Sequence, residues 1–253
     1  MESKQPTAMD LIIEAHIGLE RQGPGSSEMT LQALSFVGVL DADSRVLDLG
    51  CGTGGQTLVL ARNTSSDITG LDIIPDFIEV FNNNAKQHNY RDRMRGIVGS
   101  MDDLSFDKES FDLIWSEGAI DNIGFDKGVN YWTGFLKHGG YIAVTCPSWL
   151  TDQRPDEIEE FWGEAVGGLG TVAQNTTVML DAGYRFIAAF TLPEKCWTDG
   201  YFTPREAANN TLLLKYPNDT TVKSHTAADE HEVKLFSKYN QHYGYVFYIG
   251  QKL

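Results

Sequence analysis

A glycine-rich turn between an apolar segment and a helix is the feature that most constrains the fold of this chain. The segment RVLDLG (45–50) is short and apolar and ends in glycine, which predicts a buried strand. Gly50, Gly52 and Gly54 follow at alternate positions, and GQTLVLARN (55–63) has the character of a helix. Glycines allow a close approach of the backbone, and the helix offers unpaired N–H groups there. The segment therefore predicts a strand–turn–helix unit that binds a ligand.

Predicted strands and helices alternate along the first 150 residues. One predicted helix opens at Pro75, where the missing N–H of proline is tolerated, and another closes at Gly139. The further predicted strands are 67–73, 95–100, 111–118 and 141–146. Alternation of this kind predicts a parallel α/β sheet with right-handed crossovers.

Outside this region the sequence predicts more helices and a strand at the end. Residues 8–20 have helical apolar spacing, and Ser26 or Ser27 is placed to cap a second helix. Beyond Pro147 the alternation of predicted strands and helices is less regular. A capping box with Thr203 at the cap and Glu206 at the third position predicts the start of a late helix. The aromatic ending YGYVFYIG (243–250) is rich in strand-forming residues.

Composition excludes several classes of protein. Of the 253 residues, 42% are hydrophobic and 22% charged, as in a globular domain. No apolar run reaches the roughly 18 residues of a membrane span, and the start MESKQPTAMD lacks the features of a signal peptide, so we expect a cytoplasmic protein. Three scattered cysteines argue against a zinc site and a disulfide framework. A formal charge of −15 disfavours nucleic acid and is compatible with a cationic or neutral partner.

The glycines fit two ligands, and neighbouring acids distinguish between them. Asp72 follows Gly50 by 22 positions, where a carboxylate accepts hydrogen bonds from ribose hydroxyls in NAD and S-adenosylmethionine alike. Asp48 precedes Gly50 by two positions. A carboxylate there repels a pyrophosphate, whereas it attracts the sulfonium and ammonium of S-adenosylmethionine. The alternative is that Asp48 only caps the turn.

These motifs together resemble the class I S-adenosylmethionine-dependent methyltransferases, in particular the branch similar to the ubiquinone and menaquinone methyltransferases. VLDLGCGTGG with Asp72, GSMDDLSF (99–106) and LKHGGYIAV (136–144) carry the resemblance, which covers about 23–145. It implies an α/β, doubly wound, Rossmann-like sheet of seven strands, mostly parallel with an antiparallel last strand, and helical insertions near the C-terminal end. It also implies transfer of a methyl group from S-adenosylmethionine to a small molecule, with S-adenosylhomocysteine as product and no metal.

The resemblance also implies which residues contact the cofactor. Asp48, Gly50 and Gly52 would line its methionine and ribose parts, Asp72 would bind the ribose hydroxyls, and Ile73 would cover the adenine. The adenine ring would be recognised by the Met101 backbone and by the Asp102 carboxylate, with Ser100 as an alternative position for the acid. Ser116 would face the amino-acid end. An N-terminal lid would contribute Gln22, Gly23 and Gly25.

Catalytic and substrate-binding residues are predicted less directly. Glu117 and Asp121 follow the fourth strand, where a carboxylate can orient or deprotonate a nucleophile or complement the sulfonium. A structural role is an equal alternative for both. Trp149, Trp197 and Tyr201 are candidates for the wall of a substrate pocket, because aromatic faces bind apolar rings and amines. Packing of the C-terminal insertion onto the core is the alternative for these aromatic residues.

We expect a single domain over residues 1–253, with a helix and lid in 1–26, a cofactor-binding core in 27–150 and a substrate-side C-terminal part in 151–253. The expected partner is a small-molecule acceptor, and a homodimer is compatible with the sequence. Two other functions stay open. One is a non-catalytic protein that binds S-adenosylmethionine. The other is an NAD-dependent oxidoreductase, which Asp48 disfavours.

Overall fold

The computed structural model describes residues 6–253, so the first five residues of the predicted N-terminal segment lie outside the described part. A seven-stranded sheet crosses this part of the chain. Its strands are β1 (Arg45–Leu49), β2 (Asp67–Asp72), β3 (Met94–Val98), β4 (Phe111–Ser116), β5 (Leu136–Trp149), β6 (Tyr184–Thr191) and β7 (Tyr243–Lys252).

The order of the strands is β3-β2-β1-β4-β5-β7-β6. The neighbouring strands from β3 to β5 pair in parallel, whereas β7 pairs antiparallel with both β5 and β6. The order reverses between β1 and β4, and ligands of doubly wound sheets bind at such a switch point. The predicted doubly wound, seven-stranded sheet with an antiparallel last strand is confirmed.

Helices cover both faces of the sheet. Ser26 caps the second helix by accepting a hydrogen bond from the Met29 N–H at 3.2 Å, and Pro75 lies in the first turn of the fourth, as predicted. The helices are α1 (Ala8–His16), α2 (Ser27–Leu34), α3 (Gly55–Asn63), α4 (Pro75–Gln87), α5 (Phe125–Trp132), α6 (Asp156–Val166), α7 (Val172–Asp181), the short α8 (Lys195–Trp197), α9 (Thr203–Lys215) and α10 (Thr220–Tyr239).

Two predicted helix boundaries are wrong, the end of the helix before β5 and the start of α9. The helix expected to close at Gly139 already ends at Trp132, and β5 begins at Leu136. A Cβ on Gly140 would lie 3.2 Å from the Phe111 carbonyl oxygen, so the glycine pair allows a close approach of two strands. Thr203 does not cap α9, because a π-helical turn runs into it and gives Thr203 helical angles.

Three clusters of buried apolar residues hold these layers together. One lies on the sheet face covered by α2, α3 and α4, and a second lies on the face covered by α5 and α7. The third cluster is small and joins α1 to the late helices α9 and α10. In it Leu11 and Ala15 of α1 pack with Leu212 of α9 and Val222 of α10. The N-terminal helix is therefore attached to the C-terminal helices. The division of the chain at residues 26 and 150 stays a prediction.

Candidate active site

A cavity of about 610 Å³ opens where β1, β2 and β4 end. Its walls come from the glycine turn, from the loops after β2, β3 and β4, and from α1 with the segment that follows it. This volume is typical of a small-molecule site. The lining residues are Met9, Ile12, Arg21, Gln22, Gly23, Pro24, Gly50, Gly52, Gln56, Leu71, Asp72, Ile73, Ile74, Phe77, Gly99, Ser100, Met101, Asp102, Glu117, Gly118, Ala119, Asn122 and Ile123.

The N-terminal segment contacts the glycine turn through the side chain of Gln22. Gly52 has a φ of +53°, and a Cβ there would lie 2.0 Å from Oε1 of Gln22. That oxygen accepts a hydrogen bond from the Thr53 N–H at 3.0 Å, and Nε2 of Gln22 lies 3.0 Å from the Thr53 hydroxyl. Glycine is therefore required at position 52 both for the turn and for the contact with Gln22.

The end of β2 presents a fixed carboxylate and an exposed apolar side chain to the cavity. Asp72 accepts hydrogen bonds from the Gly52 N–H at 2.9 Å and from the Ile74 N–H at 3.0 Å. Burial raises the pKa of Asp72, although both N–H groups oppose the shift. Its oxygens keep further lone pairs for a ligand. Ile73 is 67% exposed and lies on the wall, as expected of a surface that an aromatic ring covers.

Asp48 lies beneath the turn rather than on the wall. It is fully buried, and its Oδ2 accepts hydrogen bonds from the Thr57 hydroxyl at 2.5 Å and from Nε2 of Gln56 at 3.2 Å. Its Oδ1 has no partner among the described residues. Burial raises the pKa of Asp48 to about 7, and the charge of Glu117 adds to the shift. Asp48 is therefore not among the residues that line the cavity, and its predicted role in cofactor binding stays a prediction.

Glu117 and Arg21 form a buried ion pair at the end of β4. Nη1 of Arg21 lies 2.7 Å from Oε2 of Glu117, and the two side chains are 6% and 4% exposed. Oε1 of Glu117 accepts from the Thr30 hydroxyl at 2.7 Å and from Nε1 of Trp115 at 2.9 Å. Both oxygens of Glu117 are thus already occupied by hydrogen bonds within the protein, so the geometry favours the structural alternative for Glu117.

Comparison with known proteins gives the family of the chain. A family model described as "Methyltransferase domain" matches residues 40–181, which is more than half of the sequence. The chain belongs to this methyltransferase family. The predicted class, the S-adenosylmethionine-dependent methyltransferases of class I, is thereby confirmed, and S-adenosylmethionine is the cofactor of that family.

Curated relatives share part of the chain. A sterol 24-C-methyltransferase from Debaryomyces hansenii is 32% identical over 123 residues, which are 48% of this chain and 32% of the relative. A sarcosine/dimethylglycine N-methyltransferase from Aphanothece halophytica is 29% identical over 149 residues, 58% of this chain and 53% of the relative. The chain thus spans between about a third and a half of the length of these relatives.

A solved structure extends the similarity of the fold to both ends. A SAM-dependent methyltransferase from Geobacter sulfurreducens, crystallised in complex with S-adenosyl-L-homocysteine, superposes with a TM-score of 0.81 at 19% identity. The match covers 96% of this chain and 98% of the other. At this identity the match shows a shared fold, including the C-terminal helices that lie beyond the family model.

The loop after β3 brings both positions considered for the adenine contact, Ser100 and Asp102, to the cavity. Met101 and Asp102 line it, and so does Ser100, whose hydroxyl donates to Asp102. Nζ of Lys127 lies 2.7 Å from Asp102 and lowers the pKa of that carboxyl. Asp102 therefore stays ionised and remains the predicted acceptor for the adenine amino group, next to Ser100.

Two further predicted cofactor residues lie off the wall. Ser116 is fully buried, and its hydroxyl donates to the Leu49 carbonyl oxygen at 2.8 Å, so it joins β4 to β1 instead of facing a ligand. Gly25 donates its N–H to the Cys196 carbonyl oxygen at 3.3 Å and so connects the N-terminal segment to α8. Glu117 and Gly118 occupy the wall position expected for Ser116.

Asp121 lies behind the wall, in the turn Ile120–Asn122. Its Oδ1 is buried with no partner in the described part of the chain, and burial raises the pKa of Asp121 to about 6. Burial, and after it the charge of Asp121, raises the pKa of the Cys146 thiol and of the Tyr245 hydroxyl. Its neighbour Asn122 lines the cavity. A catalytic role for Asp121 stays a prediction.

The three aromatic candidates for substrate binding are core residues. Trp149 is buried between strand and helix residues and contacts the Tyr243 ring edge-on. Trp197 is buried and stacks on Phe236 with 4.5 Å between the ring centroids. Tyr201 is buried, and its hydroxyl accepts from Arg205 at 2.8 Å. None of the three lines the cavity, so the packing alternative is the one that the structure supports.

Sequence reasoning missed the contribution of α1 and the following segment. Met9 and Ile12 are large apolar side chains that lie on the cavity wall and are partly exposed. The only signal in the sequence is that apolar residues surround α1 on more than one side, since Leu11 and Ala15 already form its packed face. Arg21 gave no signal, because its partner Glu117 is 96 positions away.

Two kinds of site are absent from residues 6–253. No helix in this range is both long enough and apolar enough to cross a bilayer. No group of three or more His, Cys, Asp or Glu side chains in the same range is arranged to hold a metal ion. The three cysteines are buried and free.

Proposed function

We propose that this chain transfers the methyl group of S-adenosylmethionine to a small-molecule acceptor. The observation that carries the proposal is the charge of the cavity wall. Asp72, Asp102 and Glu117 contribute carboxylates, and Asp48 lies buried behind them, whereas Arg21 is the sole cation among the described lining residues. A wall of this kind attracts cationic ligands and repels polyanions.

The wall supports S-adenosylmethionine over a nicotinamide dinucleotide. S-adenosylmethionine has a sulfonium, an ammonium and one carboxylate, whereas a dinucleotide brings a pyrophosphate. Glu117 is paired with Arg21 and Asp102 with Lys127, and Asp72 suits the ribose of either ligand, so the discrimination rests on Asp48, whose carboxylate behind the glycine turn would repel a pyrophosphate. The charge balance therefore disfavours an oxidoreductase and supports a methyltransferase.

The chain would act mainly by holding two reactants in line. S-adenosylmethionine supplies an activated methyl group, so proximity and orientation account for most of the acceleration, at most about 7–11 kcal/mol. Asp72 and Ile73 would fix the adenosine part, and the turn at Gly50 and Gly52 would fix the sulfur. A general base is needed only for an acceptor that starts protonated, and Asp121 is the proposed candidate.

The relatives support a small organic acceptor. The name of one relative gives a sterol, methylated at carbon, as its acceptor. The name of the other gives the amines sarcosine and dimethylglycine, methylated at nitrogen. The apolar lining from Met9, Ile12 and Ile123 suits an acceptor with a hydrocarbon part.

Thermal unfolding with S-adenosylhomocysteine, NAD and NADP tests the cofactor. A ligand at a hundredfold excess over its Kd adds about 2.7 kcal/mol, which for a chain of this length raises Tm by roughly 5–10 °C. We expect the rise with S-adenosylhomocysteine alone, and we expect Asp72→Asn to reduce it. A rise with NAD or NADP instead would refute the proposal.

Transfer itself needs a second assay, because a non-catalytic binding protein would also pass the first. The protein is incubated with tritiated S-adenosylmethionine and a small-molecule extract, and the organic products are counted. Label above the level of an Asp72→Asn control supports transfer. Binding without label over a broad range of extracts would favour the non-catalytic alternative.

A further inference from the structure

The helix that covers the cavity ends in a histidine that contacts a distant tyrosine. α1 brings Met9 and Ile12 to the wall of the cavity and ends at His16. We infer that the Tyr201 hydroxyl positions this part of the wall through His16, and that the contact holds only while His16 is neutral, so that acid loosens the cover over the ligand. The inference concerns the same cavity and therefore rests on the proposed function.

Hydrogen bonds fix the tautomer of His16. Its Nδ1 lies 2.8 Å from the Ile12 carbonyl oxygen, which can only accept, so Nδ1 carries the proton. Nε2 of the neutral ring then has a lone pair, and it lies 3.3 Å from the Tyr201 hydroxyl. That hydroxyl accepts from Nη1 of Arg205 at 2.8 Å and so donates its own proton to His16. The hydrogen bonds thus run in one direction, from α9 through the tyrosine and the histidine into the backbone of α1.

His16 also joins these hydrogen bonds to the glycine turn. Its carbonyl oxygen accepts from Nε2 of Gln22 at 3.2 Å, and the same Gln22 side chain binds Thr53. Ile12, whose carbonyl oxygen accepts from His16, lies on the wall. A displacement of His16 would therefore move both the α1 wall and the segment that contacts the turn.

The C-terminal end of this series of hydrogen bonds is held firmly. Arg205 is buried, its Nη1 lies 2.8 Å from Glu232, and its Nε lies 3.4 Å from Asp229. The guanidinium also lies over the ring of Tyr201, 4.5 Å from the centroid. Tyr201 itself is buried. Its hydroxyl is therefore held in one place, as is required of a group that positions another.

Protonation of His16 opposes this arrangement. An N–H at Nε2 would leave the proton of the Tyr201 hydroxyl without its acceptor. The charged and titratable groups that face the ring from other elements are Arg205 on α9 and His225 and Asp229 on α10. Burial lowers the pKa of His16; its bond to the α1 backbone and the charge of Asp229 oppose the shift, whereas Arg205 and His225 add to it. The docked helix therefore binds protons less readily than a free one, and docking weakens as the pH falls below 6.5.

Nuclear magnetic resonance of the imidazole nitrogens in the ligand-free protein tests the contact itself. We expect His16 to be the Nδ1–H tautomer with a pKa below 6.5. Tyr201→Phe removes a donor that favours the neutral ring, so the pKa of His16 should rise in this variant. The matched control is Tyr216→Phe, because the Tyr216 hydroxyl also joins α1, but through the Glu14 carboxylate at 3.2 Å. The control should leave the pKa of His16 unchanged. An Nε2–H tautomer, or a pKa that Tyr201→Phe does not raise, would overturn the inference.

Calorimetry with S-adenosylhomocysteine at pH 8 and pH 5 tests the effect on the cavity. At pH 8 Tyr201→Phe and His16→Gln should each weaken binding by about threefold to tenfold, the effect of one hydrogen bond, and the double variant should bind no more weakly than either. At pH 5 the loss caused by Tyr201→Phe should be smaller, since protonation of His16 already competes with the contact. Each variant is compared with the wild type at the same pH, because Asp48 and Asp121 also titrate in this range and cancel in the ratio.

The outcomes distinguish this inference from the proposed function. A loss on Tyr201→Phe that is equal at both pH values, or that adds to the loss on His16→Gln, would show a tyrosine with a merely structural role and would overturn the inference alone. Tyr216→Phe should change the Kd by the same factor at both pH values. A wild type that binds no S-adenosylhomocysteine at either pH would refute the proposed function, and the resonance measurement would still decide the contact between His16 and Tyr201.

Discussion

Replacing Asp48 by asparagine should make the ligand-free protein more stable at neutral pH and a poorer binder of its cofactor. The side chain is fully buried, its Oδ1 has no partner in the described structure, and burial raises its pKa from 3.8 to about 7. In the folded protein Asp48 therefore holds a proton that the unfolded chain has already released. Asparagine removes the titration and keeps an oxygen to accept from Thr57.

The sign follows from proton linkage. Between pH 3.8 and about 7 the native state binds one more proton than the unfolded state at this site, so the free energy of unfolding falls as the pH rises, by about 1.36 kcal/mol per unit. From pH 5 to pH 8 the loss is roughly 3 kcal/mol. The free energy of unfolding of Asp48→Asn should not fall in this way. The stability of the variant relative to the wild type should therefore increase by the same amount between pH 5 and pH 8.

Urea unfolding of the ligand-free proteins at pH 5 and pH 8 measures the difference. The control is Asp92→Asn, because the Asp92 side chain is 91% exposed. This replacement should change the free energy of unfolding by the same amount at both pH values. In the ligand-bound state the ionised Asp48 complements a positive ligand, so Asp48→Asn should lose preference for S-adenosylmethionine over S-adenosylhomocysteine. A stability difference that is the same at both pH values would show that Asp48 is not a buried acid of raised pKa.

Three further outcomes are expected. Gly52→Ala places a Cβ 2.0 Å from Gln22. Calorimetry should therefore show S-adenosylhomocysteine binding weakened by about tenfold or more. The control Gly167→Ala, also at positive φ but with open space around it, should leave binding unchanged. If Asp121 is the general base, kcat/KM for an identified acceptor should rise with pH through about 6 to a plateau, and Asp121→Asn should lose that limb; an unchanged profile would exclude the role. Trp197→Ala should lower the free energy of unfolding by about 3–5 kcal/mol in urea without a selective effect on the KM for the acceptor; a selective rise in KM would restore Trp197 as a substrate residue.

The sheet and the floor of the cavity were predictable because their signals are local. The turn at Gly50 and Gly52 and the acid at Asp72 lie at fixed distances along the chain, and the strands around them are short apolar runs. Backbone geometry alone then places these residues at one edge of a parallel sheet. Ile73, one position after Asp72, lines the cavity, and its contact with the adenine stays a prediction.

Other features were not predictable because they depend on distant parts of the chain. The contact of Glu117 with Arg21 joins residues 96 positions apart, and no pattern in either segment announces it. Trp197 and Tyr201 have the composition of a substrate wall, yet the position of α10 buries them. Ser116 was assigned the wrong side of its strand end, since its hydroxyl reaches the Leu49 carbonyl oxygen. In each case tertiary packing decided between alternatives of equal local merit.

The attachment of α1 to the C-terminal helices has a consequence for how such a protein diversifies. Residues 40–181, the range of the family model, build the floor on which the cofactor would lie. The cover over that floor is built from outside this range, by α1 and its following segment, and it is anchored on α9 and α10. The family model therefore describes the floor of the cavity but not its cover, and because α1 packs on α9 and α10, we expect substitutions in α1 to be matched by substitutions in these two helices.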